Sequence, residues 1–458
     1  MARITFIGAA GVVTGSKHLL ETDAGTRVLL DCGLYQGLSE LTQRNWTPPP
    51  VDPAHLNAVL LSHGHLDHCG YLPALVQQGF GGRIYCTSAT ADVTELVLRD
   101  AAGLQEDEAK RASRHPERGL HTTPLYTTAD VEKVVPLFSH VEYGQMCTDL
   151  PGCTFRFSDA GHILGSEIME IFFEHKILVF TGDIGRYGRP LLRDPTPIAQ
   201  ADYVLAESTY GDRLHPQSDP QDDLCTVINA SLGRNGVLVI PSFAIGRTQE
   251  VLYAIGQLQA ANRIPACAIY VDSPMGIAAD DIMERHPEAT RFDLRQRFGA
   301  GDESIGAKHV TNVQTQADSI KLNDLSSNAI IIASSGMAAG GRVLHHLRNR
   351  LGRANDTVCL VGFQSPGTLG QQLLAGQKHP KVMGVPIDVH ATIAHIDGFS
   401  AHADRSELLR WFGNFTSSPR TFIVHADPGP AASLAAAVAS QYHINATPAQ
   451  QGEVVEIK

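Results

Sequence analysis

No run of 18 uncharged apolar residues occurs in the 458-residue chain, so nothing in it reads as a membrane span. A basic excess is also missing. Asp and Glu number 48 against 36 Lys and Arg, for a formal net charge of −12. That balance argues against a protein that coats nucleic acid by bulk charge, and leaves a local basic groove or bound metal ions as sources of positive charge. The chain has no Cys-x-x-Cys pair. Its eight cysteines, at 32, 69, 86, 147, 153, 225, 267 and 359, read as free thiols in a reducing compartment. They form neither a disulfide framework nor a cysteine zinc site, and they place the protein in the cytoplasm. The N-terminus, Met1 to Gly8, lacks a long apolar core and reads as a first strand, not a signal peptide. Internal repeats and low-complexity linkers are absent.

What is present is an ordinary globular composition, 43% hydrophobic and 18% charged, at a length that suits two or three domains. Histidine stands out at 21 residues, and it is the commonest metal ligand. In the first two hundred residues, short apolar segments separated by glycine-rich turns predict strands at Ile4–Ile7, Arg27–Leu30, Ala58–Leu61, Arg83–Cys86, Thr154–Phe157, Ile168–Phe173, Ile177–Phe180 and Tyr203–Ala206. Residues 89–112 and 128–138 predict helices, the second ending near Pro136. From about Gly211 strand and helix alternate: Val237–Ile240, Gly246–Gln259, Ala268–Val271, Met275–Arg285, then Ala329–Ala333 and Val358–Val361. That alternation predicts a separate parallel α/β domain. After about residue 390 the pattern of the first two hundred residues returns, and Phe422–His425 is one more short strand. The expected division is therefore 1–211 and 389–458 for one domain, with 212–388 inserted.

Several predicted strands run into a potential ligand: Asp31, His63, Asp183, Glu207 and His425. In α/β folds such groups gather where strands end. Taken singly each is a turn residue or helix cap as readily as a ligand; five together point to one crevice. The densest element is His63-Gly64-His65-Leu66-Asp67-His68. Alternate residues of an extended segment point the same way, so His63 and His65 can share a metal, with Asp67 and His68 on the turn beyond. Imidazole and carboxylate are the ligands of hydrolytic zinc sites. Two further segments hold a ligand between glycines: Asp159-Ala160-Gly161-His162-Ile163-Leu164-Gly165-Ser166 and Thr181-Gly182-Asp183-Ile184-Gly185. Cys69, beside the densest run, reads as a small buried filler.

The order Asp31, His63-x-His65-x-Asp67-His68, His162, Asp183 resembles the metallo-β-lactamase fold. Glu207-Ser208-Thr209-Tyr210-Gly211-Asp212-Arg213, Gly398-Phe399-Ser400-Ala401-His402-Ala403-Asp404 and Val424-His425 resemble motifs A, B and C of its β-CASP branch, which holds RNA 3′-end-processing endonucleases and RNase J. Val271-Asp272-Ser273-Pro274-Met275, Ala333-Ser334-Ser335-Gly336-Met337, Gly340-Gly341-Arg342 and Val361-Gly362-Phe363-Gln364 resemble the same branch. Nearly the whole chain is covered. Two positions depart from the usual pattern: Ala426-Asp427 follows the motif C histidine in place of Gly-Glu, and Gln371 stands where Arg is usual.

The resemblance implies an α/β protein, a metallo-β-lactamase αββα sandwich with an inserted α/β β-CASP domain. It implies two Zn2+ per chain, with Mn2+ as the alternative. One ion would sit on His63, His65 and His162, the other on Asp67, His68 and His425, with Asp183 bridging. Asp31 would orient a ligand histidine or the nucleophilic water, and His402, paired with Glu207, would face the leaving oxygen. The expected reaction is attack on an RNA phosphodiester by a metal-bridging hydroxide, with His402 protonating the departing 3′ oxygen. Cleavage would be endonucleolytic, with 5′-exonucleolytic action as a second mode. Single-stranded RNA is the expected partner and a homodimer is compatible with the chain, while no additional RNA-binding domain is evident. Substrate contacts are expected at the turn Ser334-Ser335-Gly336 as an oxyanion nest, at Arg342 with the basic stretch to Arg353, and at Arg247 near a helix N-terminus. A metal-dependent DNA nuclease, a small-molecule ester or thioester hydrolase on the same metal core, and a non-catalytic RNA-binding subunit are the alternatives. His425, the inserted domain and the full ligand set respectively weigh against them.

Overall fold

Strict alternation marks the strand Cys153–Asp159, where every second side chain is buried. It pairs antiparallel with Glu167–Phe173, and Arg156 grips Glu170 across that pair through two 2.7 Å hydrogen bonds. Strands of this kind assemble a computed structural model that describes residues 1–114, 121–293, 296–297, 305–365 and 367–458. Its contacts divide it into two units, Met1–Leu214 with His402–Lys458, and His215–Ala401.

The first unit holds two seven-stranded mixed sheets. One runs, in spatial order, Val454–Glu456, Arg3–Gly8, Lys17–Glu21, Arg27–Leu30, Ala58–Leu60, Arg83–Cys86, Phe138–His140; the other runs Ala446–Pro448, Arg420–Val424, Tyr203–Glu207, Lys176–Phe180, Glu167–Phe173, Cys153–Asp159, Cys147–Leu150. The pleat sorts their side chains. Val28 and Leu30 from one sheet and Leu178, Phe180 and Phe422 from the other share the core between them. Val179, Val204 and Ile423 point outward, under the helices Arg405–Phe412 and Pro428–Tyr442, where Trp411, Phe412 and Leu434 cover them. Burial on both faces explains why these strands read as unbroken apolar runs. The helix Ser88–Ser113 starts on Thr87, whose hydroxyl accepts from the Thr90 amide at 3.1 Å. The αββα sandwich expected from the sequence is therefore present.

The second unit is built on a six-stranded, all-parallel sheet: Val310–Asn312, Ala268–Asp272, Ala329–Ala333, Val237–Pro241, Thr357–Val361, Thr392–Ile396. Helices such as Arg247–Ala260 and Val343–Arg350 connect its strands. Its last strand moves the expected boundary. Thr392–Ile396 pairs with Thr357–Val361, so the chain leaves this unit at Ala401 and not at residue 388. As an edge strand it is only partly buried, and its composition therefore resembles the half-buried strands of the other unit. A second difference concerns residues 128–138. The helix is Thr128–Val134, followed by the 3-10 turn Val135–Leu137 and the strand Phe138–His140. Pro136 has no amide hydrogen to continue the helical ladder.

The Phe422 ring lies 5.3 Å from that of Phe6 in the facing sheet. Truncating it to alanine is expected to cost about 3–5 kcal/mol, read from the chemical denaturation transition of the sandwich unit; a loss below ~1 kcal/mol would contradict this packing.

Candidate metal centre

Parallel pairing carries the ligand-bearing strand ends to common edges. Leu30 is in register with Leu60, so Asp31 and the Ser62-His63 segment emerge side by side. In the facing sheet Phe180, Leu205 and Phe422 share one register, and Asp183, Glu207 and His425 follow from the same edge. Backbone geometry then turns each group inward. Asp31 and His425 have φ of 59° and 46°. Gly182, at φ 52°, lets the Asp183 loop approach Ser62, where a Cβ would lie 2.5 Å from the Ser62 Cβ. Asp67 and His68 sit on a single helical turn, Leu66–Cys69, with His65 extended just before it.

All seven expected ligands meet in two groups. His63 Nε2 lies 3.0 Å from His65 Nδ1, which lies 3.3 Å from His162 Nε2. Asp183 Oδ2 is 3.5 Å from His63 Nε2 and 3.6 Å from His162 Nε2. In the second group His68 Nε2 is 3.2 Å from His425 Nε2, which is 3.3 Å from Asp67 Oδ2. The same Asp183 Oδ2 stands 3.4 Å from His68 Nε2. One carboxylate oxygen thus faces both groups.

These residues fit metal ions. Ligands about 2.0–2.1 Å from zinc in a tetrahedron are about 3.3 Å from one another, close to the separations found. Hydrogen bonds serve this arrangement poorly, because His65 Nδ1 faces two other ring nitrogens and a ring nitrogen offers either one proton or one lone pair. Among the described residues, the buried Asp183 Oδ1 and His162 Nδ1 have no hydrogen-bond partner. Burial, reinforced by neighbouring histidines, holds His63 and His162 well below the ordinary histidine pKa, and burial brings His65 down to about 4. All three are therefore neutral at physiological pH, the form that binds metal. Burial pushes Asp183 up, yet His425 and His68 outweigh it and hold the carboxyl well below the usual carboxylate range.

Hydrogen bonds behind the cluster set its ring orientations. The fully buried Asp31 accepts from His68 Nδ1 at 2.7 Å, from the Ser62 amide at 2.8 Å and from the Ser16 and Ser62 hydroxyls at 2.9 and 3.0 Å. His68 must therefore turn Nε2 toward the cluster. Ser62 Oγ is also 3.1 Å from His63 Nδ1, and Thr209 Oγ1 is 3.2 Å from His425 Nδ1. Sequence reasoning missed Ser16, Ser62 and Thr209 as positioning groups. Only the adjacency of Ser62 to His63 and of Thr209 to Glu207 offered a signal, since the contacts join distant segments. Cys69 is buried against the Gly64 carbonyl, outside both groups.

His402 reaches the same site from Gly185, its bridge partner. Its Nδ1 is 3.1 Å from Glu207 Oε1 and 3.9 Å from Asp183 Oδ2, and its ring centre is 4.5 Å from that of His162. Glu207 is fully buried and also accepts from the Ile184 amide at 2.8 Å and the Thr209 amide at 2.9 Å. Burial depresses the His402 pKa, but the Glu207 carboxylate, through charge and hydrogen bond, with help from Asp183, raises it overall above the ordinary histidine value.

In the second unit, Ser334, Ser335 and Gly336 do form a turn after a buried strand. Ser335 Oγ accepts from the Ala339 and Gly340 amides at 3.1 and 3.3 Å, and Ser334 Oγ meets Ser273 Oγ at 2.8 Å. The arginines differ from the expected phosphate-tracking stretch. Arg342 is bound to Asp272 at 2.7 Å and to the Val313 and Gln314 carbonyls; Arg350 holds Asp356 and the Leu322 carbonyl; Arg353 caps the Leu325 and Asn323 carbonyls. Arg247 is buried and donates to the Val361 carbonyl at 2.7 Å. These guanidiniums brace loops and strand ends by pairing their carbonyls.

Replacing Asp31 with asparagine is expected to lower zinc affinity about 10–100-fold, by releasing His68 from its fixed orientation. Competition with a chelating dye measures it; unchanged affinity would remove Asp31 from this role.

Comparisons with known proteins agree with this geometry. Residues 26–185 match the beta-lactamase superfamily domain, residues 248–373 the Beta-Casp domain, and residues 386–448 the Zn-dependent metallo-hydrolase RNA specificity domain. The chain is 35% identical to Ribonuclease TTHA0252 of Thermus thermophilus, over 93% of each chain. It is 31% identical to the transcription termination factor FttA of Methanosarcina mazei, over 95% of this chain and 68% of that protein. It is 28% identical to an RNase J-like protein of Methanocaldococcus jannaschii, over 93% of each. A crystal structure of a protein of unknown function from Enterococcus faecalis shares the fold, with a TM-score of 0.56 at 12% identity and 99% coverage of both chains. Matched along its length and carrying the buried histidine and aspartate cluster on the matched segments, the chain belongs to the metallo-β-lactamase/β-CASP family of RNA-processing nucleases.

Proposed function

We propose that this chain is a zinc-dependent ribonuclease that hydrolyses RNA phosphodiester bonds, endonucleolytically and with 5′-exonucleolytic action as a second mode. The observation that carries the reading is a buried Glu207 paired with a half-buried His402, set directly against the histidine and aspartate cluster. His63, His65 and His162 would hold one ion, Asp67, His68 and His425 the other, with Asp183 beside both. When bound, the two ions supply Lewis-acid relief of phosphate charge and water activated at neutral pH; Zn2+ is the assignment and Mn2+ the alternative.

The chain's own residues supply the rest. Asp31 and Ser62 keep the rings of His68 and His63 aimed. A phosphodiester's leaving 3′ oxygen needs a proton, and the Glu207 carboxylate keeps His402 charged enough to supply one. With Nδ1 on Glu207, that proton sits on Nε2. Departure of the 3′ oxygen leaves a 3′ hydroxyl on the upstream fragment and the phosphate on the 5′ end of the downstream one. In the inserted unit, the Ser334-Ser335-Gly336 turn is assigned to RNA contact, with Arg342 and Arg247 acting through the loops they brace. Single-stranded RNA is the proposed substrate. The eight free, buried cysteines support a reducing, cytoplasmic setting, and among the described residues no helix is long and apolar enough to cross a membrane.

Two measurements test the reading. Purified protein with zinc or manganese is expected to cleave end-labelled single-stranded RNA, leaving 5′ phosphates, and to leave matching DNA largely intact. His63→Ala should abolish the cut. RNA left whole by metal-loaded protein would sink the proposal. For the proton donor, His402→Ala is expected to lower the turnover rate about 10²–10⁴-fold at unchanged metal content. Glu207→Gln should shift the pH profile. The folded His402 pKa is raised by Glu207 and activity needs the protonated form, so activity falls as pH rises through that pKa. Loss of the carboxylate lowers the pKa and brings the fall on at lower pH. An unmoved alkaline limb would remove Glu207 from this role.

A further inference from the structure

Among the described residues, Lys17 is the one buried lysine. Its side chain is 4% exposed, yet it enters no ion pair among the described residues. Its ammonium donates to the Gly33 carbonyl and lies 4.9 and 5.0 Å from the ring centres of Tyr35 and Tyr71. An ammonium has three donors and a large desolvation cost, and one carbonyl with two ring faces recovers only part of it. Burial pulls its pKa down to about 8.

The same three residues wall a cavity of about 310 Å³, with Arg44, Gln451 and the run Pro48–Pro50. Arg44 lies over the Tyr35 ring at 5.5 Å and is exposed at the rim, where it donates to Gln451 at 2.6 Å. No aspartate or glutamate lines the cavity among the described residues, although the chain as a whole carries a net −12. None of the clustered histidines or aspartates lines it either.

We propose that this cavity binds a phosphate monoester about the size of one nucleotide, at a site distinct from the metal cluster. Two cations and no acid match a dianion. The volume stands at the small end of small-molecule sites, too small for a strand of RNA and larger than inorganic phosphate needs. Proline and tyrosine walls suit a flat organic group attached to the phosphate. The anion supplies the countercharge that Lys17 lacks, and its binding raises the Lys17 pKa, so the protein takes up a proton near pH 8.

Calorimetric titration of the metal-loaded protein with AMP near pH 8 tests this, run in two buffers of different ionisation enthalpy. A binding component with proton uptake is expected in the unaltered protein and in His63→Ala. Lys17→Met should remove it, and Arg44→Ala, at an exposed position that leaves folding intact, should weaken it about tenfold or more. Adenosine should give no such component, and inorganic phosphate a weaker one. Titrations unchanged by both Lys17→Met and Arg44→Ala would overturn the proposal. Loss of the component in His63→Ala would also overturn it, by placing the ligand on the metal cluster. Equal affinity for inorganic phosphate would overturn the assignment of an organic ester. The outcome is independent of whether RNA is cleaved.

Discussion

Ring nitrogens and carboxylate oxygens 3.0–3.6 Å apart, nearly all of them buried, turn their lone pairs toward two shared points, with Asp183 between them. Such a grouping repels itself. In a low-dielectric interior, uncompensated carboxylates and mutually facing imidazoles cost several kcal/mol each. Divalent cations remove that cost, and the rest of the first unit is arranged so that the groups have no other escape. Strands hold Asp31, Glu207 and His425 at their ends, and glycines bring the Asp183 loop in close.

The supporting network follows from the same constraint. A partner on the far nitrogen of a ring fixes which nitrogen faces the cluster. Asp31, Ser62 and Thr209 occupy those positions for His68, His63 and His425. Glu207 does something different. It faces a histidine that is partly open to solvent and raises its affinity for a proton, while burial lowers that of His63, His65 and His162. Imidazoles with opposite proton affinities thus stand within one site, His63, His65 and His162 lowered by burial and His402 raised by Glu207. In the inserted unit Arg342, Arg350 and Arg247 are engaged with carbonyls and carboxylates of the same unit.

Much of this was legible in the amino-acid sequence. The run His63 to His68, the glycine-flanked His162 and Asp183, and His425 at a strand end named every member of the cluster. Ligand chemistry restricts residue types sharply, and strand ends are local signals. The alternation after residue 211 predicted a parallel sheet for the same local reason. What stayed hidden were contacts between segments far apart in the chain. Ser16 and Ser62 converge on Asp31, Thr209 on His425, and Thr392–Ile396 joins the inserted sheet as a half-buried edge. The fates of Arg342, Arg350 and Arg353 were hidden likewise, because a guanidinium reads the same whether it meets phosphate or a carbonyl.

By itself the sequence named the histidines and aspartates that come together and the sandwich with its inserted α/β domain, and its family motifs implied that Glu207 meets His402. Only the tertiary structure decided that one oxygen of Asp183 faces both groups, that Asp31 turns His68, and that Lys17 is buried without an acid beside a cavity. The division has a physical cause. Residue type and periodicity are properties of neighbours along the chain, whereas the direction of a lone pair and the field at a buried charge depend on whichever distant segments fold against it.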